Sequence, residues 1–217
     1  MYRLIIVLAT ISLFNQACNI QKATPPFQDH YNVVWDTQSK NSSESMPVVG
    51  GDMACNVWVE DGELLFYLSR SGSFDEHGAY LKLGRVRVKL SPNPFDGDGS
   101  FRQELKLHKG FVEIEGVAED NSLNAEIKVW VEVNRPVVHV DVLANRPLEV
   151  EAAYESWRTG EKEFAPGNYG ERFSFFNLMA YPGKVVRSKD EISYSKKGVL
   201  FYHRNPKEKL SPEVLIR

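Results

Sequence analysis

The sequence predicts an all-β fold, two antiparallel sheets packed face to face as a β-sandwich. Three observations predict it. Short apolar/polar alternations recur from Met53 onward, turn-forming residues separate them at close intervals, and helical periodicity longer than about two turns is missing. With 217 residues the chain has room for one such domain with a real core. Apolar residues make up 42% and charged residues 25%, as in an ordinary globular protein. The 26 basic and 29 acidic residues are mixed along the chain for a net charge of -3, which offers no basic face to nucleic acid.

In chain order, Asn56 to Glu60 and Glu63 to Leu68 are β-rich runs around Asp61-Gly62, a pair that adopts positive φ at both turn positions, so they predict a hairpin. Arg85 to Leu90 places Arg85, Arg87 and Lys89 on one face and Val86, Val88 and Leu90 on the other. Phe101 to Leu107 alternates in the same way, and its cationic stripe, like that of the preceding strand, is expected to be solvated. Between these strands, Ser91 to Pro94 and Asp96 to Gly99 are breakers. Strands are then expected at Phe111 to Val117, Glu126 to Val133, Val137 to Leu143, Val150 to Trp157 and Val199 to Arg204. The aromatic-rich, glycine-interrupted stretch Thr159 to Asn177 reads as a loop. A sandwich is preferred to a barrel because the charged stripes mark outer faces, and no fixed-period repeat points to a propeller or β-helix.

The ends read differently. Arg3 followed by the apolar run Leu4 to Phe14 is too short to span a bilayer and suits a secretory signal. Ala17-Cys18 after it resembles a lipoprotein cleavage box, although Asn15 stands where Leu or Val is usual. Cys18 is therefore a candidate for lipidation, with plain cleavage as the other outcome, and the expected location is the periplasm or outer membrane, touching membrane only through the anchor. Residues 1–18 are thus expected to be leader, 19–28 a tether, 29–205 the sandwich and 206–217 the start of a linker. The apolar ending Val214-Leu215-Ile216 looks like a chain cut short before a further domain. Cys55, the other cysteine, is expected to be a small buried hydrophobe.

No motif announces a reaction. The five histidines are scattered and no paired-cysteine spacing occurs, so no metal is expected, nor any cofactor. There is no Gly-x-Ser-x-Gly elbow and no phosphate-binding loop, Asp75-Glu76 reads as a solvated turn, and Gly50-Gly51 as a loop entering the first hairpin strand. Two strand ends carry the ingredients of a sugar site, an aromatic platform beside fork-shaped donors and carboxylates: Glu155, Trp157 and Arg158 at one, His203 and Arg204 at the other. Core packing of Trp157 and an ordinary strand terminus at His203 are the competing readings.

Several stretches together carry a likeness. Tyr31 to Asp36, Ser45 to Asp52, Asn56 to Val59, Leu81 to Val88, Ser91 to Phe95, Glu155 to Arg158 and Phe201 to Asn205 resemble the bacterial domain of unknown function 5703 family. One departure is Pro47-Val48-Val49-Gly50-Gly51-Asp52, where that family usually reads like Pro-Leu-Gly-Asn-Gly-Asp. The resemblance implies an amino-terminal sandwich related to the super-sandwich, galactose-mutarotase-like, that precedes the helical toroid of glycoside hydrolases such as the family 95 fucosidases. There the catalytic carboxylates sit on the toroid. The expectation is a non-catalytic module whose partners are a glycan and a following helical domain, or alternatively a free-standing carbohydrate-binding lipoprotein.

Overall fold

The computed structural model describes residues 29–75, 80–164, 185–196 and 198–205. The chain divides into two units, Met1–His30 and Tyr31–Arg217, and the second contains every described strand. These strands are β1 (Val33–Trp35), β2 (Met46–Gly50), β3 (Met53–Glu60), β4 (Glu63–Arg70), β5 (Gly84–Ser91), β6 (Ser100–Lys106), β7 (Phe111–Val117), β8 (Asn124–Val131), β9 (Val138–Ala144), β10 (Glu149–Glu155), β11 (Lys162–Phe164), β12 (Val185–Arg187), β13 (Glu191–Ser195) and β14 (Gly198–Tyr202). Ten of them form two open five-stranded sheets, ordered β1-β6-β7-β8-β9 and β10-β5-β4-β3-β2, and two ribbons, β11-β12 and β13-β14, complete the set. Every pairing is antiparallel. The fold is therefore the all-β sandwich that the alternation predicts.

One face of each sheet is apolar, and the two faces meet. Cys55, Val57, Val59, Leu64, Phe66, Val88 and Leu90 from one sheet pack against Leu105, Val112, Ile114, Ile127, Val129 and Val131 from the other. The β3–β4 hairpin turns at Asp61 (φ 51°) and Gly62 (φ 75°), the doubly left-handed turn whose twist matches the strands it joins. Cys55 is 2% exposed, and burial pushes its thiol up to about 12, so it is a packing residue without nucleophilic character. The tether, the Cys18 anchor, most of the aromatic-rich stretch and residues 206–217 lie outside the described residues.

Three expectations are corrected. β8 ends at Val131, so Val133, expected to point inward with it, is an exposed turn residue. The cations of β5 are solvated only in part: Arg85 and Arg87 are half-buried and both bond Glu155, while Arg87 and the exposed Lys89 bond Glu63. On β6 the alternation holds, but Glu104 is buried beneath Arg102, Lys106 and Asn32. Burial alone would raise that carboxyl, but hydrogen bonds from Lys106, Asn32 and Arg102 outweigh it and hold the group at about 2. A depressed carboxylate stabilises the fold above its unfolded value and loses that contribution as pH falls toward the folded one. The urea midpoint is thus expected to fall between about pH 5 and about pH 2, and Glu104→Gln to flatten that slope. An unchanged slope in the variant would show that the three donors do not favour the ionised form.

Candidate functional site

The register of β10 on β5 sets the geometry. Glu155 lies opposite Arg85 and Tyr154 opposite Val86, so the strand delivers Ser156, Trp157 and Arg158 to the end of the sheet where the β2–β3 turn lies. Alternation sends Glu155 to the outer face and Tyr154 to the inner one. Tyr154 donates its hydroxyl to the Leu83 carbonyl (2.5 Å), and Phe201 of β14 stacks on its ring at 3.6 Å.

The residues after β10 close around Asp190, which lies just before β13. Arg158 donates from Nε and Nη2 to both Asp190 oxygens at 2.7 Å, Ser156 Oγ donates to Asp190 Oδ2 at 2.8 Å, and His203 Nδ1 lies 3.0 Å from Asp190 Oδ1. The side chains of Asp190, Arg158 and His203 are 1%, 11% and 6% exposed. Burial would raise the Asp190 carboxyl, but hydrogen bonds from Arg158, Ser156 and His203 win and hold it below the usual carboxylate range. A second pair has a buried carboxylate and a half-buried cation, Arg187 of β12 donating to Asp75 at 3.0 Å, with Asp75 1% exposed. Asn205 Nδ2 donates to the Phe74 carbonyl. Among the described residues, these polar pairs and the Tyr154–Phe201 stack tie the β12 and β13–β14 segments to the sandwich.

Trp157 behaves differently from its neighbours. Its side chain is half exposed, while the residues on either side of it are tied to the same carboxylate. The indole leans on Tyr67 of β4 (5.5 Å between centroids), and Tyr67 leans on Trp58 of β3 (4.8 Å), which is fully buried. Lys82 holds its ammonium 5.2 Å from the Tyr67 ring centre, and its carbonyl accepts from Arg158 Nη1. Glu155 is held down by Arg87 and Arg85 against the upward push of its own burial.

The predicted residues therefore separate. Arg158 and His203 meet at Asp190, and Trp157 stands beside Arg158 in the chain, whereas Glu155 lies on the outer face against Arg85 and Arg87. Arg204 stands apart, because it points away onto the Tyr202 ring and lies 3.5 Å from Glu191, largely exposed. His203 is no ordinary strand terminus, since its ring is buried against Asp190. Nor is Asp75 a solvated turn residue, because Arg187 compensates it in the interior. Asp190, Ser156, Lys82 and Tyr67 were not singled out by sequence reasoning. Only Ser156, inside the Glu155-Ser156-Trp157-Arg158 run, carried a local signal. Among the described residues, no group of three or more His, Cys, Asp or Glu side chains is placed to hold a metal ion.

A family model described as domain of unknown function (DUF5703) matches residues 34–216. No curated protein matches the sequence.

Proposed function

Because the chain belongs to the domain of unknown function 5703 family, we propose a role that this description leaves open: a non-catalytic glycan-contacting module of an exported, glycoside-hydrolase-like protein. The module packs on a helical toroid that carries the catalytic acids, and it lends the loop after β10 to the rim of that site. The leader and Cys18 would place the protein in the periplasm or at the outer membrane. The observation that carries this reading is the mounting of Trp157. A half-exposed indole lies between two residues clamped to one buried carboxylate, so the backbone that carries it is held in place before any ligand arrives, and the ring rests on Tyr67. Rigid aromatic planes suit sugars, whose rings offer apolar C–H faces, and preorganisation lowers the cost of binding.

The same geometry argues against chemistry at this spot. Glycoside hydrolysis needs one carboxyl kept protonated as the general acid. Glu155 and Asp190 are both held ionised by arginines, and Asp190 is out of reach of a substrate. Trp157→Ala is expected to weaken binding of the cognate oligosaccharide by about tenfold or more while leaving the unfolding midpoint nearly unchanged, and the full chain is expected to show only background release from aryl glycosides. Isothermal titration and a chromogenic assay check the two halves. Turnover abolished by Glu155→Gln would overturn the reading.

A further inference from the structure

The outer face beside Trp157 is unevenly charged. By register, Glu155, Arg85 and Tyr67 form the row next to Trp157, and Glu151, Lys89, Glu63 and Glu60 form a row farther along, with Glu149 beyond it. The acidic residues thus gather at the far end. At the near end Arg85 is paired with Glu155, Arg87 in the next row bridges Glu155 and Glu63, and Lys82 has no carboxylate partner among the described residues. Its ammonium rests over the Tyr67 ring, the same ring on which Trp157 leans. A cation held only by an aromatic face gains less than one hydrogen-bonded to an anion, so it is available to a ligand charge. The Arg158–Asp190 pair adds nothing to the balance, since its charges cancel in the interior.

We propose that the glycan stacked on Trp157 carries a carboxylate, a uronic-acid oligosaccharide whose charged group is met by Lys82 with Arg85 behind it. The proposal rests on the glycan-contact reading of the same site and names its ligand class. An indole and an ammonium that share the Tyr67 ring fit a sugar that presents a C–H face and one anionic substituent. A neutral sugar would leave the Lys82 ammonium without an anion. Arg85 is anchored by Glu155 and serves as a fixed positive background, while Lys82, exposed and on a flexible stem, makes the direct contact.

The test is equilibrium binding of the full chain to oligosaccharides of galacturonic and of glucuronic acid, each beside its carboxyl-reduced counterpart of equal length. The acidic form of at least one pair is expected to bind about tenfold more tightly at low salt, with the gap closing by about 0.5 M sodium chloride as screening shortens the reach of the charges. Lys82→Gln should remove most of that preference, and a variant that keeps it in full would overturn the role given to Lys82. If reduced and acidic forms bind equally and Trp157→Ala abolishes both, the glycan reading stands and the anionic class is wrong. If no member of either set binds, both fall.

Discussion

Replacing Asp190 with alanine is expected to destabilise the protein by about 3–5 kcal/mol, the cost of removing one partner from a buried ion pair. The side chain is 1% exposed and answers three donors at once: the Arg158 guanidinium, Ser156 Oγ and the His203 ring. Alanine would leave a guanidinium that is itself only 11% exposed without its anion, and water has little access to replace it. Asp190→Asn, which keeps the shape and one of the two accepting oxygens but loses the charge and sets an NH2 against a donor, should cost less than alanine because it leaves no cavity. The pair Asp190→Ala and Arg158→Ala should be far from additive, because the second change removes the charge that the first strands. The pH dependence has a fixed sign: the carboxyl is depressed in the fold, so its contribution is present above the usual Asp value and disappears as pH falls through the lowered one. Urea unfolding of the three variants checks this, and limited proteolysis within 191–202 would show whether the β13–β14 ribbon releases first. A loss under about 1 kcal/mol would mean that Asp190 is not what holds Ser156 and Arg158 around Trp157.

The contrast between what the sequence announced and what it hid comes from how each feature is encoded. β5 was legible because a half-buried strand writes its two faces as alternation, and Asp61-Gly62 was legible because few residue pairs accept left-handed backbone. β2 escaped notice since Pro47 and Gly50 interrupt it, yet Pro47 costs little there because β2 is an edge strand. β13 escaped for another reason: all five of its residues are exposed, so no face is apolar by burial and no period appears. At the site, Glu155, Trp157 and Arg158 stand together in sequence and could be picked out by composition alone. Asp190 could not, since it is 32 residues from Arg158, and a carboxylate destined for burial is written with the same letter as one on the surface. Arg204 was grouped with His203 because they are neighbours. Successive residues near a strand diverge, and one turns inward while the other turns to solvent.

Gly50→Ala is expected to cost about 3 kcal/mol, the upper part of the range for overpacking. Gly50 is the last residue of β2 and is buried. A methyl group there would lie 2.7 Å from the Glu132 carbonyl oxygen and nearer still to that of Val131. Those atoms are backbone at the end of β8, so no rotamer change can make room, and the β2–β3 turn would have to lift off the β8–β9 turn. The lift would disturb Glu132, which accepts from Arg135 at 2.6 Å and lies 2.6 Å from the His139 ring, and through His139 it would reach the parallel stack on Trp130 at 4.1 Å. A near-ultraviolet circular dichroism change should therefore accompany the loss of stability. Gly160→Ala is the matched control, because a methyl group there meets nothing within 4 Å and the position has no left-handed φ. It should stay within about 0.5 kcal/mol of the parent. Equal midpoints for the two variants would refute the steric account. A large gap would give the Gly50-Gly51 pair a structural reason, the close approach of two turns.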